Sequence, residues 1–193
     1  MAQKRSTDQT KLIAEAALAL AGHTGWDALT LGDIAKKAKI PLKTVEARFT
    51  DVWDILKWVL KKLEKDTQDA VKGYLGEDWR DNLMEILMMR FELAQKHREA
   101  FAAIPSAALH HPPLVRRFAR SFYRTMDRMM ELAGAPEKQR NPLFIAGFGL
   151  VYVSLVDVWS KDETPDLSKT MAAIDKRIGH YETAIDYLHC RRK

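Results

Sequence analysis

The chain has 193 residues, of which 30% are charged, few Gly or Pro, and a net charge of +5. It is long enough to bury a real core, and its composition excludes disorder, a collagen-like repeat and a disulfide scaffold. Its single cysteine, Cys190, has no internal partner, as expected of a protein in the reducing cytoplasm.

Strand signals are absent: there are no alternating apolar runs and no Asn-Gly or Asp-Gly hairpin turns. Apolar residues recur at helical spacing almost throughout, which predicts an all-α protein of about nine helices. Lys4-Arg5 followed by an apolar stretch imitates a secretion signal, but Lys11 and Glu15 interrupt it. The pattern instead predicts a first amphipathic helix over 6–22.

Two short helices, over 30–38 and 41–48, are expected next. Thr30 with Asp33 three residues on is a capping pattern, and Ile34, Ala35 and Ala38 supply an apolar face. Lys39 and Ile40 form the turn, and Pro41 suits the first position of the second helix. Val45 and Phe49 would hold that helix down, leaving Leu42, Lys43, Thr44, Glu46, Ala47 and Arg48 outward. This is the layout of a helix-turn-helix that offers its second helix to the DNA major groove. Residues 1–50 hold eight Lys/Arg against five Asp/Glu, and the excess is densest over residues 34–48.

Further helices are predicted over 51–73, 78–97, 98–109, 113–133, 140–161 and 167–189. Asp51 is positioned to cap the first of these, and Pro105 to kink or divide the region 98–109. Met84, Met88, Met89, Phe91, Phe101, Phe118, Phe122, Met126, Met129 and Met130 are large, adaptable side chains, fit either to fill a core or to line an apolar ligand site. Leu143–Trp159 is the most apolar stretch; it is shorter than the ~20 residues of a bilayer span, so a buried helix rather than a stable membrane insertion is expected. In the last helix, Leu167, Met171, Ile174, Ile178, Tyr181, Ile185 and Leu188 recur at alternating spacings of four and three. That is a helix-packing seam. It suits packing within the chain, or a four-helix dimer interface together with the preceding helix and its small Gly147 and Gly149.

Chemistry-bearing patterns are sparse. His110-His111 precede a double proline, and no H-E-x-x-H, C-x-x-C, G-x-S-x-G or P-loop is present, so neither a metal, a cofactor nor an enzyme activity is expected.

Thr30, Ile34-Ala35, Ala38, Ile40, Thr44-Val45 and Phe49, preceded by Leu12, Ile13, Ala16, Ala17, Leu20 and Gly25, resemble the N-terminal DNA-binding domain of the TetR family of transcriptional regulators. The resemblance implies a helix-turn-helix domain over 1–50 and a larger helical ligand-binding and dimerisation domain over 51–193. It implies a homodimer joined through the last two long helices, on Phe148, Tyr152, Leu155, Ile174, Ile178, Tyr181 and Ile185. It implies a palindromic operator in double-stranded DNA and an apolar small molecule or lipid sensed by the middle helices, with Met88, Phe91, Phe122, Met126 and Met130 as candidates. On chemical grounds Thr30 and the N–H groups from Leu31 onward suit a phosphate at a helix start. Lys39, Thr44 and Arg48 suit phosphates, or base edges for Arg48, while Leu42 and Lys43 suit a thymine methyl and a guanine edge. Glu46 and Val52 depart from the family pattern, which usually has a phosphate-contacting tyrosine and lysine there. A second resemblance lies in Asp162-Glu163-Thr164-Pro165-Asp166 with Thr170, Ile174, Asp175 and Arg177-Ile178, which is similar to the C-terminal motif of the ubiquinone-biosynthesis accessory protein family. That family shares the TetR-like fold and binds lipid or isoprenoid, so it implies the alternative of a lipid-binding protein. On the residues alone, Thr164 and Asp166 would simply cap a helix.

Overall fold

The computed structural model describes residues 2–190, with side chains described for residues 8–185 and for Tyr187. The side chains of Lys4, Arg5, Leu188 and Cys190 lie outside the described residues. The helices are α1 (Ala2–Thr24), α2 (Leu31–Ala38), α3 (Leu42–Glu46), α4 (Val52–Ala70), α5 (Trp79–Ala94), α6 (Arg98–His110), α7 (Pro112–Ala133), α8 (Pro142–Ser160) and α9 (Ser168–Cys190). No strand occurs among the described residues, so the all-α expectation holds.

The helix ends follow local chemistry. Asp51 Oδ1 accepts from Asp54 N at 2.8 Å while Asp54 Oδ2 accepts from Thr50 N at 3.2 Å, a reciprocal cap that starts α4. Gly134, at φ +82°, closes α7 in the left-handed conformation that a side chain would resist. Pro105 does not divide its region. α6 runs through it, without the hydrogen bond that the missing N–H removes.

Two compact units result. The first comprises the chain up to Lys65 together with Ala94–His110; the second comprises Asp66–Leu93 and His111 onward. This division differs from the expected boundary at residue 50, and long-range contacts explain why. Trp26, 1% exposed, donates its indole N–H to Ala100 O at 2.8 Å. A Cβ on Gly22 would sit 3.5 Å from Glu99 Cβ, so α1 and α6 pack closely. Glu15 Oε2 meets Lys96 Nζ at 2.8 Å and His97 Nε2 at 3.0 Å. Within this unit Ile13, Ala17, Ala21, Ile34, Val45, Phe49, Val52, Ile55 and Leu56 form the core. Val52 is thus a core residue, which accounts for an apolar side chain at that position.

In the second unit α8 packs against both α7 and α9. Phe144, Ile145, Phe148, Leu155 and Trp159 of α8 and Ile174, Ile178, Tyr181 and Ile185 of α9 are all buried within the single chain, with Phe148 against Tyr181 and Trp159 against Phe91 of α5. Tyr181 O–H donates to Phe144 O at 2.9 Å. This corrects the expected dimer interface. Phe148, Leu155, Ile174, Ile178, Tyr181 and Ile185 are core, and Tyr152 turns toward α5. The two glycines also serve the chain's own packing: a Cβ at Gly147 would lie 3.7 Å from Tyr181, and one at Gly149 would lie 2.9 Å from Phe122 Cε1.

The α8–α9 connection is fixed by one carboxylate. Asp162, 1% exposed, accepts at Oδ1 from the backbone and hydroxyl of Thr164, and at Oδ2 from Thr170 N at 2.7 Å and Thr170 Oγ1 at 2.6 Å. Asp166 Oδ1 accepts from Ser168 N at 3.2 Å. The Asp162–Asp166 run is therefore explained as helix-start chemistry.

Candidate nucleic-acid interface

The α2–α3 pair is built by its own sequence. Thr30 sits extended at the α2 N-cap, where Oγ1 accepts from Asp33 N at 3.1 Å and donates to Asp33 Oδ2 at 2.6 Å. Lys39 ends α2 at φ 56°, a left-handed turn, while Ile40 N reaches back to Ala35 O at 3.1 Å. Pro41 stands one position earlier than expected, at the N-cap of α3 rather than inside it, with its carbonyl taking Thr44 N at 2.8 Å. α3 itself is short, but Arg48 N and Phe49 N both bond Val45 O at 3.0 Å, so the turn continues to the buried Phe49.

Ile34, Ala35, Ile40, Val45 and Phe49 point inward, so Lys36, Lys37, Lys39, Leu42, Lys43, Glu46 and Ala47 are left exposed and Thr44 half-buried. A shallow cleft of about 400 Å³ runs beside them, lined by Gly32, Ala35, Lys36, Lys39, Ile40, Pro41 and Leu42. Among the described residues the ammonium groups of Lys36, Lys37, Lys39 and Lys43 make no ion pair. The surface offers four unneutralised cations and a large apolar residue, Leu42, 42% exposed, at the start of α3. Such a face suits a polyanion that also presents methyl groups.

Two expected contacts are placed differently. Arg48 folds back on α1, where Nη2 donates to Gln9 Oε1 at 2.8 Å and Nη1 to Thr10 Oγ1 at 3.3 Å. At the α2 N-terminus the Thr30 hydroxyl is already engaged by Asp33, whose carboxylate would meet an incoming phosphate as a like charge. The face therefore centres on Lys39, Leu42, Lys43 and Thr44, with Leu31 half-buried beside them and Lys36 and Lys37 added by the structure.

The proposed ligand residues are mostly interior: Met88, Phe91, Met126 and Met130 are buried and Phe122 is 37% exposed. Phe91 stacks on Trp159 at 5.2 Å and on Tyr152 at 6.0 Å between centroids, and Phe122 lies 6.2 Å from Tyr152. Sequence reasoning missed Arg90 at the centre of this cluster, 4% exposed, although a lone cation within Ile86–Phe91 is itself a signal.

No protein-family profile matches the chain. No curated protein matches it either. Solved structures do, across nearly their whole length. A TetR transcriptional regulator from Nitrosomonas europaea is 16% identical, with a TM-score of 0.74 over 90% of this chain and 97% of that one. The fatty acid degradation regulator FadR from Bacillus halodurans is 15% identical, with a TM-score of 0.61 over 90% and 94%. A transcriptional regulator from Rhodococcus sp. Rha1 is 18% identical, with a TM-score of 0.59 over 91% and 96%. The chain has the TetR-like fold.

Proposed function

We propose that this protein is a cytoplasmic, homodimeric, ligand-responsive DNA-binding regulator of the TetR type, acting as a repressor without catalysis. The observation that carries the reading is the outward, unpaired set Lys36, Lys37, Lys39 and Lys43 around Leu42 on a helix-turn-helix whose first helix is capped by Thr30. An apolar ligand in the second unit would favour one of two arrangements of the dimer, and it shifts operator affinity only as far as it binds the two arrangements unequally.

The dimer face follows from α8. Its outer side carries Leu143, Ala146, Leu150, Val153 and Asp157 at spacings of three and four, with Leu150 75% exposed. A helix apolar on both sides fits between its own core and a partner. α8 is long and apolar enough to cross a membrane, but its inner side is already occupied by the chain's own core. A two-fold pairing of the outer sides places the same residues against themselves.

Titration against duplex DNA between about 50 and 200 mM salt tests the reading, since each phosphate contact contributes roughly 0.9 to the logarithmic salt slope. Wild type is expected to bind steeply, and Lys39→Ala with Lys43→Ala to flatten the slope by about 2. Absence of binding at the lowest salt, with lipid co-purifying, would sink it in favour of a lipid- or isoprenoid-binding accessory protein of ubiquinone biosynthesis. Glu46, exposed on the reading helix, and the engagement of Arg48 with α1 are the observations on that side.

A further inference from the structure

We infer that Arg90 and Tyr152 form a receptor for the carboxylate of an amphipathic organic acid, whose apolar tail lies among the aromatic side chains around them. This deepens, and rests on, the reading of the second unit as a ligand-binding domain. Arginine keeps its charge at every accessible pH, so a buried arginine needs acceptors. Arg90 has one: its Nε donates to Tyr152 Oη at 2.9 Å. Nη1 is buried without any acceptor, and among the described residues no carboxylate lies within ion-pair distance of the guanidinium. The Tyr152 ring, 5.7 Å from the guanidinium carbon, offsets only part of the lost hydration. Because Tyr152 Oη accepts from Arg90, its own O–H is directed elsewhere, and no side chain or carbonyl among the described residues takes it.

Arg90 thus keeps a buried donor with no acceptor, beside a phenol whose own O–H has none. A carboxylate supplies the acceptor that Nη1 lacks, and charge-assisted bonds of this kind are the strong ones. A phosphate dianion is a poorer match, because the neighbours Phe91, Phe122 and Trp159 supply no further cation. They do supply apolar surface for a chain. Phe122, 37% exposed and held against Gly149, forms the edge of the cluster that meets solvent.

The test titrates the full chain by calorimetry with decanoate, 1-decanol and inorganic phosphate. Decanoate is expected to bind at least about tenfold more tightly than decanol, the worth of a charged hydrogen bond. Arg90→Met should erase that preference while leaving decanol affinity unchanged, and should melt no lower than wild type, since an uncompensated buried charge has gone. Tyr152→Phe should weaken decanoate several-fold. If Arg90→Met does not fold, Arg90→Gln carries the same comparison, because it keeps a polar donor but removes the charge. Equal affinity for acid and alcohol, a preference that survives in both Arg90 variants, or displacement of decanoate by equimolar phosphate would each overturn the assignment. No DNA enters the measurement. Decanoate binding without duplex binding would sink the regulator and keep this site; duplex binding without decanoate binding would sink the site alone.

Discussion

Ile178→Asp is expected to unfold the second unit, whereas Leu150→Glu is expected to leave it folded and convert a dimer to monomers. Both residues are apolar and lie on neighbouring helices, yet Ile178 is 0% exposed and Leu150 is 75% exposed. Truncating a buried isoleucine alone costs about 2–5 kcal/mol. Placing a carboxylate there adds several kcal/mol more, because the site is fully buried and the charge would lose its hydration. That total is comparable with the roughly 5–15 kcal/mol holding a domain together. Leu150, being exposed, should change the stability of the isolated fold by no more than about 0.5 kcal/mol. Its charge would instead be buried twice in a two-fold pairing of α8, once from each subunit. Circular dichroism and sedimentation read the two outcomes separately. A folded Ile178→Asp protein would contradict the core placement of the α9 seam, and a dimeric Leu150→Glu protein would contradict the proposed face.

That contrast also marks what could be read from the chain beforehand. The alternation of fours and threes announced the buried face of α9 at Leu167, Ile174, Ile178, Tyr181 and Ile185, though Met171 in the same series is 48% exposed, and a hydrophobic seam gains the same free energy against its own subunit as against a second one. The choice needed the position of α8, whose outer stripe was hidden inside an almost uniformly apolar run. The helix-turn-helix was legible because its signals are local: the Thr30–Asp33 cap, the Lys39 turn and the Val45–Phe49 anchor each act within a few residues. The membership of α6 in the first unit was not legible, because the Trp26–Ala100 bond spans seventy-four residues.

The same distinction governs the candidate sites. Leu42 and Lys43 are exposed because helix geometry turns them away from Val45 and Phe49, and Lys39 because it occupies the left-handed turn between α2 and α3. Arg48 is on the same short segment, but its long side chain found Gln9 and Thr10 on another helix. The proposed ligand region shows the converse. The apolar candidates were visible by type, while the polar pair that gives the region chemical direction, Arg90 with Tyr152, emerges only when α5 meets α8.

Asp162→Asn is expected to lower stability by about 3 kcal/mol, which for a chain of this size is a melting shift of roughly 6–12 °C. Burial alone would raise the Asp162 carboxyl, but hydrogen bonds from the side chains and backbones of Thr164 and Thr170 outweigh it and hold the group well below the usual carboxylate range. The amide keeps the shape and turns one acceptor into a donor, so it faces two of the N–H and O–H groups with the wrong polarity. The damage spreads to Leu167, a buried leucine held at φ 54°, a left-handed conformation that leucine rarely adopts and that persists only while its surroundings enforce it. Linkage gives the sign with pH. The folded carboxyl ionises at lower pH than the unfolded one, near about 3.9, so its contribution is complete above about pH 5 and is lost as pH falls toward the folded value. Denaturant midpoints measured from pH 6 downward should therefore converge for wild type and Asp162→Asn, as the wild type loses what the variant lacks throughout. A gap that stayed constant down to pH 2 would mean that the carboxylate charge is not what fixes the α8–α9 connection.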